Sequence, residues 1–367
     1  MNAVSKCNYI NKTTMKDNKS KVKVVDLREN PYLALAKSVF TPTNVFVCKA
    51  DTVLTEEVIL LLNKFGIGEV ELKPTGNVSE NLSISQAYEV ADFSNNYLKI
   101  TSSLEQSFAS IAYKKTMPKK FIEETANGIR LLTNKYDTLS YLFYMNEGYS
   151  DLLQHSSTVA MLCRLMAKWL HLNEETTETL VFAALFHDIG KLRVDKEVLN
   201  KTTPLTSHEY ALIQTHTLHG IDILSTVKVN EQVRDIVLSH HEKLDGTGYP
   251  NGLKDHDISD LVRIVTICDI YAGMMHKRAD RDSVNPFQII EYIDKQLRGL
   301  LDSALIFVFL KNIADSFQGS WVKLSNGDIG EVFFINSFNL SRPIIKLDTG
   351  NILNLVENKD IHITGLA

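Results

Sequence analysis

The sequence predicts a multidomain protein in which an all-α helical domain, residues 148–317, is flanked by a small N-terminal α+β module and a small C-terminal β-barrel-like extension. Three observations support this fold class. The 367 residues are enough for two or three domains of ordinary size. Apolar residues recur at helical spacing within 148–317. After Phe317 they alternate with polar residues, which is typical of strands.

The N-terminal part of the chain divides into three predicted segments. Residues 1–20 are polar and rich in Lys and Asn, and we expect them to be disordered. Residues 21–83 predict a small regulatory α+β module with its linker. Its expected elements are strands at 22–27, 44–48 and 69–72, a helix at 55–65 capped by Thr55 with Val58, Leu61, Leu62 and Phe65 on one face, and a linker at 74–83. Residues 84–147 predict a helical connector.

The helical domain and the C-terminal extension follow from local signals. Helical spacing is clearest in residues 152–166, 176–186 and 261–268. Thr206 and Glu209 predict a capping box for a helix that carries His216 and His219. Residues 318–367 predict a small β domain, with strands at 321–324, 331–335 and 344–347 and turns at 325–328 and 348–351.

Composition excludes several classes of protein. The net charge of −5 gives no global basic signature, so we expect no polymeric nucleic acid as a partner. The four cysteines are scattered without a CxxC pair, which argues against a thiolate zinc site and fits a reducing cytoplasm. We find no signal peptide and no apolar segment of about 20 residues, so we expect a cytoplasmic protein without a membrane partner.

One short stretch, Phe186-His187-Asp188-Ile189-Gly190-Lys191, ends an apolar run at 180–185 that predicts a buried helix. Gly190 is interpreted as the helix stop, because glycine tolerates positive φ. Buried imidazoles and carboxylates are costly unless they are paired or bind a metal. Neighbouring side chains on a helix diverge by about 100°, so Asp188 can bridge two ions while His187 binds one. A structural His-Asp pair is at least as common an explanation of the dipeptide alone.

Other potential ligands occur on predicted helices. Asp151 and His155 are four residues apart and share a helix face. Asp269 sits inside an apolar run, where an aspartate is rare without a partner. A lone histidine in a helix is more often a hydrogen-bonded core or surface residue. Together, however, the candidate metal ligands are numerous: Asp151, His155, His187, Asp188, His216, His240, His241 and Asp269.

This ligand count exceeds one four-coordinate zinc ion and suits two or three octahedral first-row ions. Two ions about 3.5–4 Å apart, joined by a carboxylate, can activate water and hold a phosphoryl group for in-line attack. Such chemistry needs no nucleophilic Ser or Cys.

The second motif, His240-His241-Glu242-Lys243-Leu244-Asp245-Gly246-Thr247-Gly248-Tyr249-Pro250, has two glycines and a proline after a helix end, which could be only a turn. Together with the stretch at 187–191, it resembles the signature of the HD-GYP family, cyclic di-GMP phosphodiesterases within the wider HD phosphohydrolase group. The resemblance covers roughly 148–317, and the match of the flanking modules is much weaker.

The resemblance implies roles for individual residues. It assigns catalysis to His187, Asp188 and Lys191, and it makes all the candidate ligands except Asp151 match the family's metal ligands. Lys191 matches a lysine that contacts the scissile phosphate. The expected substrate-binding residues are Lys191, Asp245, Gly248, Tyr249, Arg278 and Arg281.

Two departures from the family pattern affect these expectations. Members with three metals carry Glu where this chain has Asp151, so a third metal is in question. After Asp269 the family often has Asp-Ala-Leu and then Arg-Pro-Tyr-Arg, whereas this chain has Ala272-Gly273-Met274 and Arg278-Ala279-Asp280-Arg281. This difference bears on the loop shape and on substrate preference.

The expected function is hydrolysis of cyclic di-GMP to pGpG, GMP or both by a metal-bridged hydroxide, with the metals and Lys191 stabilising the phosphoryl oxygens. Two alternatives stay open: hydrolysis of another cyclic dinucleotide such as the mixed GMP-AMP ring, and a non-catalytic cyclic di-GMP sensor. The expected cofactors are two or three divalent ions, Fe or Mn by resemblance, with Ni or Zn also compatible with the ligands. A homodimer through the N-terminal module or the connector helices is the expected assembly.

Overall fold

The computed structural model describes residues 20–24, 30–41, 46–48, 50, 52–74, 84–144, 152–275 and 284–366. The chain forms two compact units, which divide between Asp92 and Phe93. The predicted disorder of residues 1–19 and the predicted linker at 75–83 lie outside the described residues, whereas Ser20 belongs to a strand. The five predicted domain ranges stay predictions.

The first unit is built around antiparallel strands. Its strands are β1 (Ser20–Lys23), β2 (Asn30–Leu35), β3 (Val39–Phe40), β4 (Phe46–Cys48), β5 (Val53–Leu54) and β6 (Glu69–Pro74). The order in the main sheet is β1-β6-β2-β5, and β3 pairs with β4. The predicted strand-containing N-terminal region is thereby confirmed, although the sequence pattern did not predict β2.

The helix of the first unit, α1 (Glu56–Lys64), begins where the sequence predicts. The hydroxyl of Thr55 accepts a hydrogen bond from the N–H of Val58 at 3.3 Å. Leu62 is fully buried in the core of this unit. Phe65, which was predicted to share that apolar face, is instead exposed, because the helix ends before it and Gly66 turns the chain with a φ of +63°.

The helices that follow confirm the predicted helical fold of this part of the chain. They are α2 (Ile84–Lys114, which contains the division), α3 (Lys119–Lys135), α4 (Thr138–Tyr144), α5 (Leu152–Trp169), α6 (Glu174–Phe186), α7 (Lys196–Leu199), α8 (Ser207–Gln214), α9 (His216–Ser225), α10 (Glu231–Ser239), α11 (Asp260–Met275), α12 (Pro286–Gln296) and α13 (Ser303–Ser316). Short 3-10 helices lie at Ile189–Arg193 and Asp255–Asp257. None of the described helices is long and apolar enough to cross a membrane.

Four of these helices pack in a closed order: α5 against α6, α6 against α10, α10 against α11, and α11 against α5. Each contributes fully buried apolar side chains, among them Val159, Leu180, Ile236 and Val265. In so apolar an interior, polar side chains at the helix ends must pair with one another or bind a ligand.

Side-chain caps fix where several helices begin. The capping box predicted for Thr206 and Glu209 is present at the start of α8. Asn173, Asn230 and Asn285 cap α6, α10 and α12, each accepting a backbone N–H with its side-chain oxygen. The single helix expected to run on to His219 is in fact two, α8 and α9, which meet at Thr215.

The C-terminal strands are β7 (Trp321–Leu324), β8 (Ile329–Phe334), β9 (Ile344–Leu347), β10 (Ile352–Asn354) and β11 (Ile363–Leu366). They form an antiparallel sheet of order β10-β9-β8-β7-β11. Gly327 and Gly350 adopt φ of +91° and +87° in the two predicted turns, which favour glycine for that reason. The predicted strands are confirmed, and closure of this sheet into a barrel stays a prediction.

Candidate metal centre

Seven of the eight predicted metal ligands lie together in the helical unit, most of them at helix ends. They are His155 in the first turn of α5, His187 and Asp188 directly after α6, His216 at the start of α9, His240 and His241 directly after α10, and Asp269 within α11. The eighth, Asp151, lies outside the described residues.

The carboxylate of Asp188 lies between two pairs of imidazoles. Its Oδ1 is 3.3 Å from Nε2 of His216 and 3.9 Å from Nε2 of His240. Its Oδ2 is 3.3 Å from Nε2 of His187 and 3.7 Å from Nε2 of His155. Because the two oxygens face different histidines, this carboxylate is suited to bridging two ions.

Asp269 lies across the centre from the first carboxylate. Its Oδ1 is 2.8 Å from Nε2 of His155 and 3.7 Å from Nε2 of His187. Its Oδ2 is 3.8 Å from Nδ1 of His241. Asp269 therefore offers oxygens to both histidine groups.

Two sets of described residues hold their ligand atoms within 4.8 Å of one another. One set is Asp188, His216, His240 and His241, and the other is His155, His187 and Asp188. Asp188 belongs to both sets, which is the connectivity that a two-ion centre requires.

Backbone carbonyls orient three of the imidazoles. Nδ1 of His187 donates to the carbonyl of Ala184 at 2.7 Å, and Nδ1 of His216 donates to that of Ile213 at 2.6 Å. Nδ1 of His240 lies 3.1 Å from the carbonyl of Val237. Since a carbonyl can only accept, these Nδ1 atoms carry protons and each ring turns Nε2 toward the centre, as in metal-ligating histidines.

The charges of the centre compensate one another. Burial opposes ionisation of Asp188, but Lys191 and His187 beside it hold the pKa of its carboxyl well below the usual range. Burial also opposes protonation of His187, yet Asp188 and Asp269 raise its pKa to about 10. Burial and neighbouring imidazoles lower the pKa of His240. His187, Asp188 and Asp269 would help to hold a metal ion, and binding it would release the His187 proton.

The donor set fits divalent metal ions. Nε2 of His187 and Oδ1 of Asp188 are buried and lack a partner in hydrogen-bond geometry among the described residues. Leaving such atoms unsatisfied costs about 1–3 kcal/mol each, and more for charged groups. Imidazole nitrogens and carboxylate oxygens without a thiolate suit first-row ions, so binding of a metal would satisfy both atoms.

Gly190 allows the segments that carry Asp188 and His216 to approach each other closely. The sequence predicted a different role for it, as a helix stop with positive φ. Gly190 lies inside the 3-10 helix, and its φ is not positive. A Cβ at this position would lie 1.8 Å from the carbonyl oxygen of His216 and 2.5 Å from the N of Gly220. Glycine is needed here because the 3-10 helix passes directly against the backbone of α9.

Among the described residues, the centre is open on one side. Lys191 donates from Nζ to Oδ2 of Asp188 at 2.5 Å, and its side chain is 23% exposed. His241 and Asp269 are also partly exposed, whereas His187 and His240 are fully buried. A ligand would therefore approach from the side of Lys191, His241 and Asp269.

An aromatic surface borders this opening. The ring of Tyr249 stacks on the ring of His241, with centroids 4.7 Å apart at an angle of 29°. The half-exposed ring of Tyr210, on α8, meets Tyr249 edge-on at 6.5 Å. Burial raises the pKa of the Tyr249 hydroxyl, so it stays protonated at neutral pH. Tyr210 was not singled out from sequence, since nothing local connects it with residue 249.

Of the remaining predicted substrate-binding residues, the structure describes Asp245 and Gly248. Asp245 is exposed and accepts hydrogen bonds from the N–H and hydroxyl of Thr247. Gly248 packs against the backbone, where a Cβ would lie 2.4 Å from Cα of Glu242. Arg278 and Arg281 lie outside the described residues.

Residues 145–305 match the protein family described as HD domain. A cyclic di-GMP phosphodiesterase of Pseudomonas aeruginosa is 32% identical over 194 residues, which are 53% of this chain and 47% of the relative. The 3'3'-cGAMP-specific phosphodiesterase 1 of Vibrio cholerae is 33% identical over 198 residues, which are 54% of this chain and 44% of the relative.

A third relative, a cyclic di-GMP phosphodiesterase of Thermotoga maritima, is 29% identical over 225 residues, covering 58% of this chain and 61% of the relative. The chain thus spans about half the length of the curated relatives that it matches.

Proposed function

We propose that this chain, whose residues 145–305 match the HD domain family, is a metal-dependent phosphodiesterase that hydrolyses cyclic di-GMP. The observation that carries the proposal is the position of Asp188, whose two oxygens face separate histidine groups in a buried centre. The names of the Pseudomonas and Thermotoga relatives support the choice of substrate.

We propose that two divalent ions bind at the seven ligands, with Fe or Mn favoured by resemblance and Ni or Zn compatible with the donors. When bound, such ions supply an activated water and neutralise charge on a phosphoryl group. A third ion would depend on Asp151.

The chain's own groups would bind and orient the substrate. Lys191 lies at the open side. Its ammonium group can therefore keep one hydrogen bond to Asp188 and donate another to a non-bridging oxygen of the scissile phosphate. The rings of Tyr249 and Tyr210 offer aromatic surface to the bases, and one base–aromatic stack contributes about 1–3 kcal/mol. Arg278 and Arg281 are proposed to hold the other phosphate, since a guanidinium matches phosphate geometry.

The reaction would open the ring to the linear pGpG, and a second round would give two GMP. Asp151 is the residue that would hold a third ion for the second cut. We therefore expect the ratio of pGpG to GMP to report on that position.

A second candidate substrate is the mixed GMP-AMP ring. The 33% identity to the Vibrio cholerae relative, named as specific for 3'3'-cGAMP, favours it. The metal-centre residues would bind the phosphates of either ring, so the base preference must come from the surrounding surface. A non-catalytic sensor is the weaker alternative, because seven of the predicted ligands are retained and lie together.

A product assay tests this proposal. The protein is purified without oxygen, its metals are determined, and cyclic di-GMP and the mixed ring are supplied separately. Formation of pGpG or GMP that a chelator abolishes supports the phosphodiesterase. Intact cyclic di-GMP with a full metal complement excludes that substrate, and turnover of the mixed ring alone would select the second candidate.

The assembly of the protein is a separate proposal. A homodimer through the N-terminal module or the connector helices is expected, and sedimentation of the full chain tests it.

A further inference from the structure

Glu242 follows the candidate ligand His241 and is only 2% exposed, yet it belongs to neither of the two ligand sets. Its Oε1 accepts a hydrogen bond from the backbone N–H of Asn251 at 2.7 Å. Its Oε2 accepts one from the backbone N–H of Leu253 at 3.0 Å. A buried carboxylate with both oxygens on backbone amides attaches that stretch of chain firmly to the end of α10.

The attached stretch is the loop that carries Tyr249. The N–H of Tyr249 donates to the carbonyl of His241 at 3.3 Å. Gly248 lies so close that an added Cβ would be 2.5 Å from the N of Lys243. The loop is thus held on both sides of Tyr249: before it by the close approach of Gly248, and after it by the carboxylate of Glu242.

We propose that Glu242 is a positioning residue for the cyclic dinucleotide: it holds the loop so that the ring of Tyr249 stays stacked on His241 at the open side of the centre. This inference rests on the proposed function and deepens it. Glu242 would act on the substrate only through Tyr249.

Glu242 can hold the loop because each of its two oxygens accepts one backbone N–H. A glutamine at this position offers one oxygen, so one of the N–H groups of Asn251 and Leu253 would face the NH₂ group, a second donor. A buried N–H without an acceptor is costly, and the loop would move to find water. The ring of Tyr249 would then leave His241.

The first test is Glu242→Gln in the metal-loaded full chain. We expect metal content close to wild type, KM for cyclic di-GMP raised about tenfold, which is the size of one lost base–aromatic contact, and a smaller change in kcat. Asp195→Asn is the matched control, because its carboxylate also accepts a backbone N–H, from Glu197 at 2.8 Å, but outside this loop. The control should keep the wild-type KM.

A double-mutant cycle separates positioning from general destabilisation. If Glu242 acts through Tyr249, adding Tyr249→Ala to Glu242→Gln should raise KM little further, because the contact is already lost. If the two effects on KM multiply, Glu242 does not act through Tyr249 and the inference is wrong.

A second variant reaches the loop without changing Glu242. Gly248→Ala places a Cβ against the backbone of residues 242 and 243, so the loop must move away. Gly248→Ala should raise KM as much as Glu242→Gln does. Adding Tyr249→Ala to Gly248→Ala should then raise KM little further. This variant tests the inference even if Glu242→Gln does not fold.

Hydrogen exchange gives a readout without turnover. The amides of Asn251 and Leu253 should be protected in the wild-type protein and exchange at least about tenfold faster in Glu242→Gln. If the wild-type protein turns over no cyclic dinucleotide, the proposed function fails and this inference fails with it. If it turns over cyclic di-GMP while Glu242→Gln keeps both its KM and its amide protection, only the inference is overturned.

Discussion

Asp188 and His187 are adjacent in the chain but have different surroundings. Asp188 shares its two oxygens between separate histidine groups, whereas His187 has one nitrogen bound to a backbone carbonyl and the other directed at the carboxylates. Neither side chain is exposed to solvent. Each is therefore difficult to replace by another polar residue without leaving a buried atom unsatisfied.

Removing either side chain should remove metal and activity together. For Asp188→Ala we expect loss of most bound metal and at least about a 100-fold loss of phosphodiesterase activity, because the carboxylate common to both ligand sets is gone. His187→Ala should also lose bound metal and phosphodiesterase activity. Metal content by mass spectrometry and product formation are the two measurements.

Lys191→Ala is the comparison variant for this experiment. Its ammonium group is outside the ligand sets, so metal should stay while kcat falls by about 100-fold, as when one transition-state donor is removed. Full metal content and full activity in both His187→Ala and Asp188→Ala would contradict the site assignment.

At the level of elements, the contact between the 3-10 helix and α9 brings candidate ligands from two segments together. Asp188 and Lys191 come from one side of this contact and His216 from the other. The two backbones touch at Gly190, where a Cβ has no room. Backbone atoms cannot turn aside as the end of a flexible side chain can.

Gly190→Ala should therefore separate the two elements. We expect a lower midpoint of thermal unfolding and reduced metal content, since overpacking costs about 1–3 kcal/mol even where side chains can adjust. Gly365→Ala is a matched control, because its Cβ would meet no atom within 4 Å and its φ is not positive. Wild-type stability and metal content in Gly190→Ala would show that the close approach is not required.

The capping box of α8 predicts a pH dependence. Lys201 and the N–H and hydroxyl of Thr206 lower the pKa of Glu209 from its ordinary 4.5 to about 2. A lowered pKa gives stability that is present above the ordinary value and is lost as pH falls toward 2. Glu209→Gln should thus lower the unfolding midpoint at pH 7 but less at pH 3.

Glu123→Gln, a change at an exposed position of α3, is the control for this comparison. An equal effect of Glu209→Gln at both pH values would mean that the ionised capping box does not stabilise the fold.

For the whole molecule, the candidate metal centre joins segments far apart in sequence. A ligand that binds only the folded state stabilises it, by about 2.7 kcal/mol at a free concentration 100 times its Kd. A chelator should therefore lower the unfolding temperature of the wild-type protein. Asp188→Ala should show a much smaller shift, and an equal shift in both would place the chelator's effect outside this centre.

The sequence predicted those features that depend on a few neighbouring residues. The caps at Thr55 and Thr206, the glycine turns at 327 and 350, and the change from helices to strands are all local, and the structure contains them. The residue types of the candidate site were also predictable, because buried histidines and aspartates at helix ends need partners.

Only the tertiary structure decided how these residues meet. The closed packing of α5, α6, α10 and α11, together with the packing of α9, gives each oxygen of Asp188 its own histidines, and no local pattern contains those distances. The tertiary structure also decided that position 190 must be glycine. It likewise decided that the side chain of Glu242 accepts hydrogen bonds from two backbone amides. Local conformation follows from adjacent residues, whereas the geometry of the site follows from side-chain packing between segments that are distant in sequence.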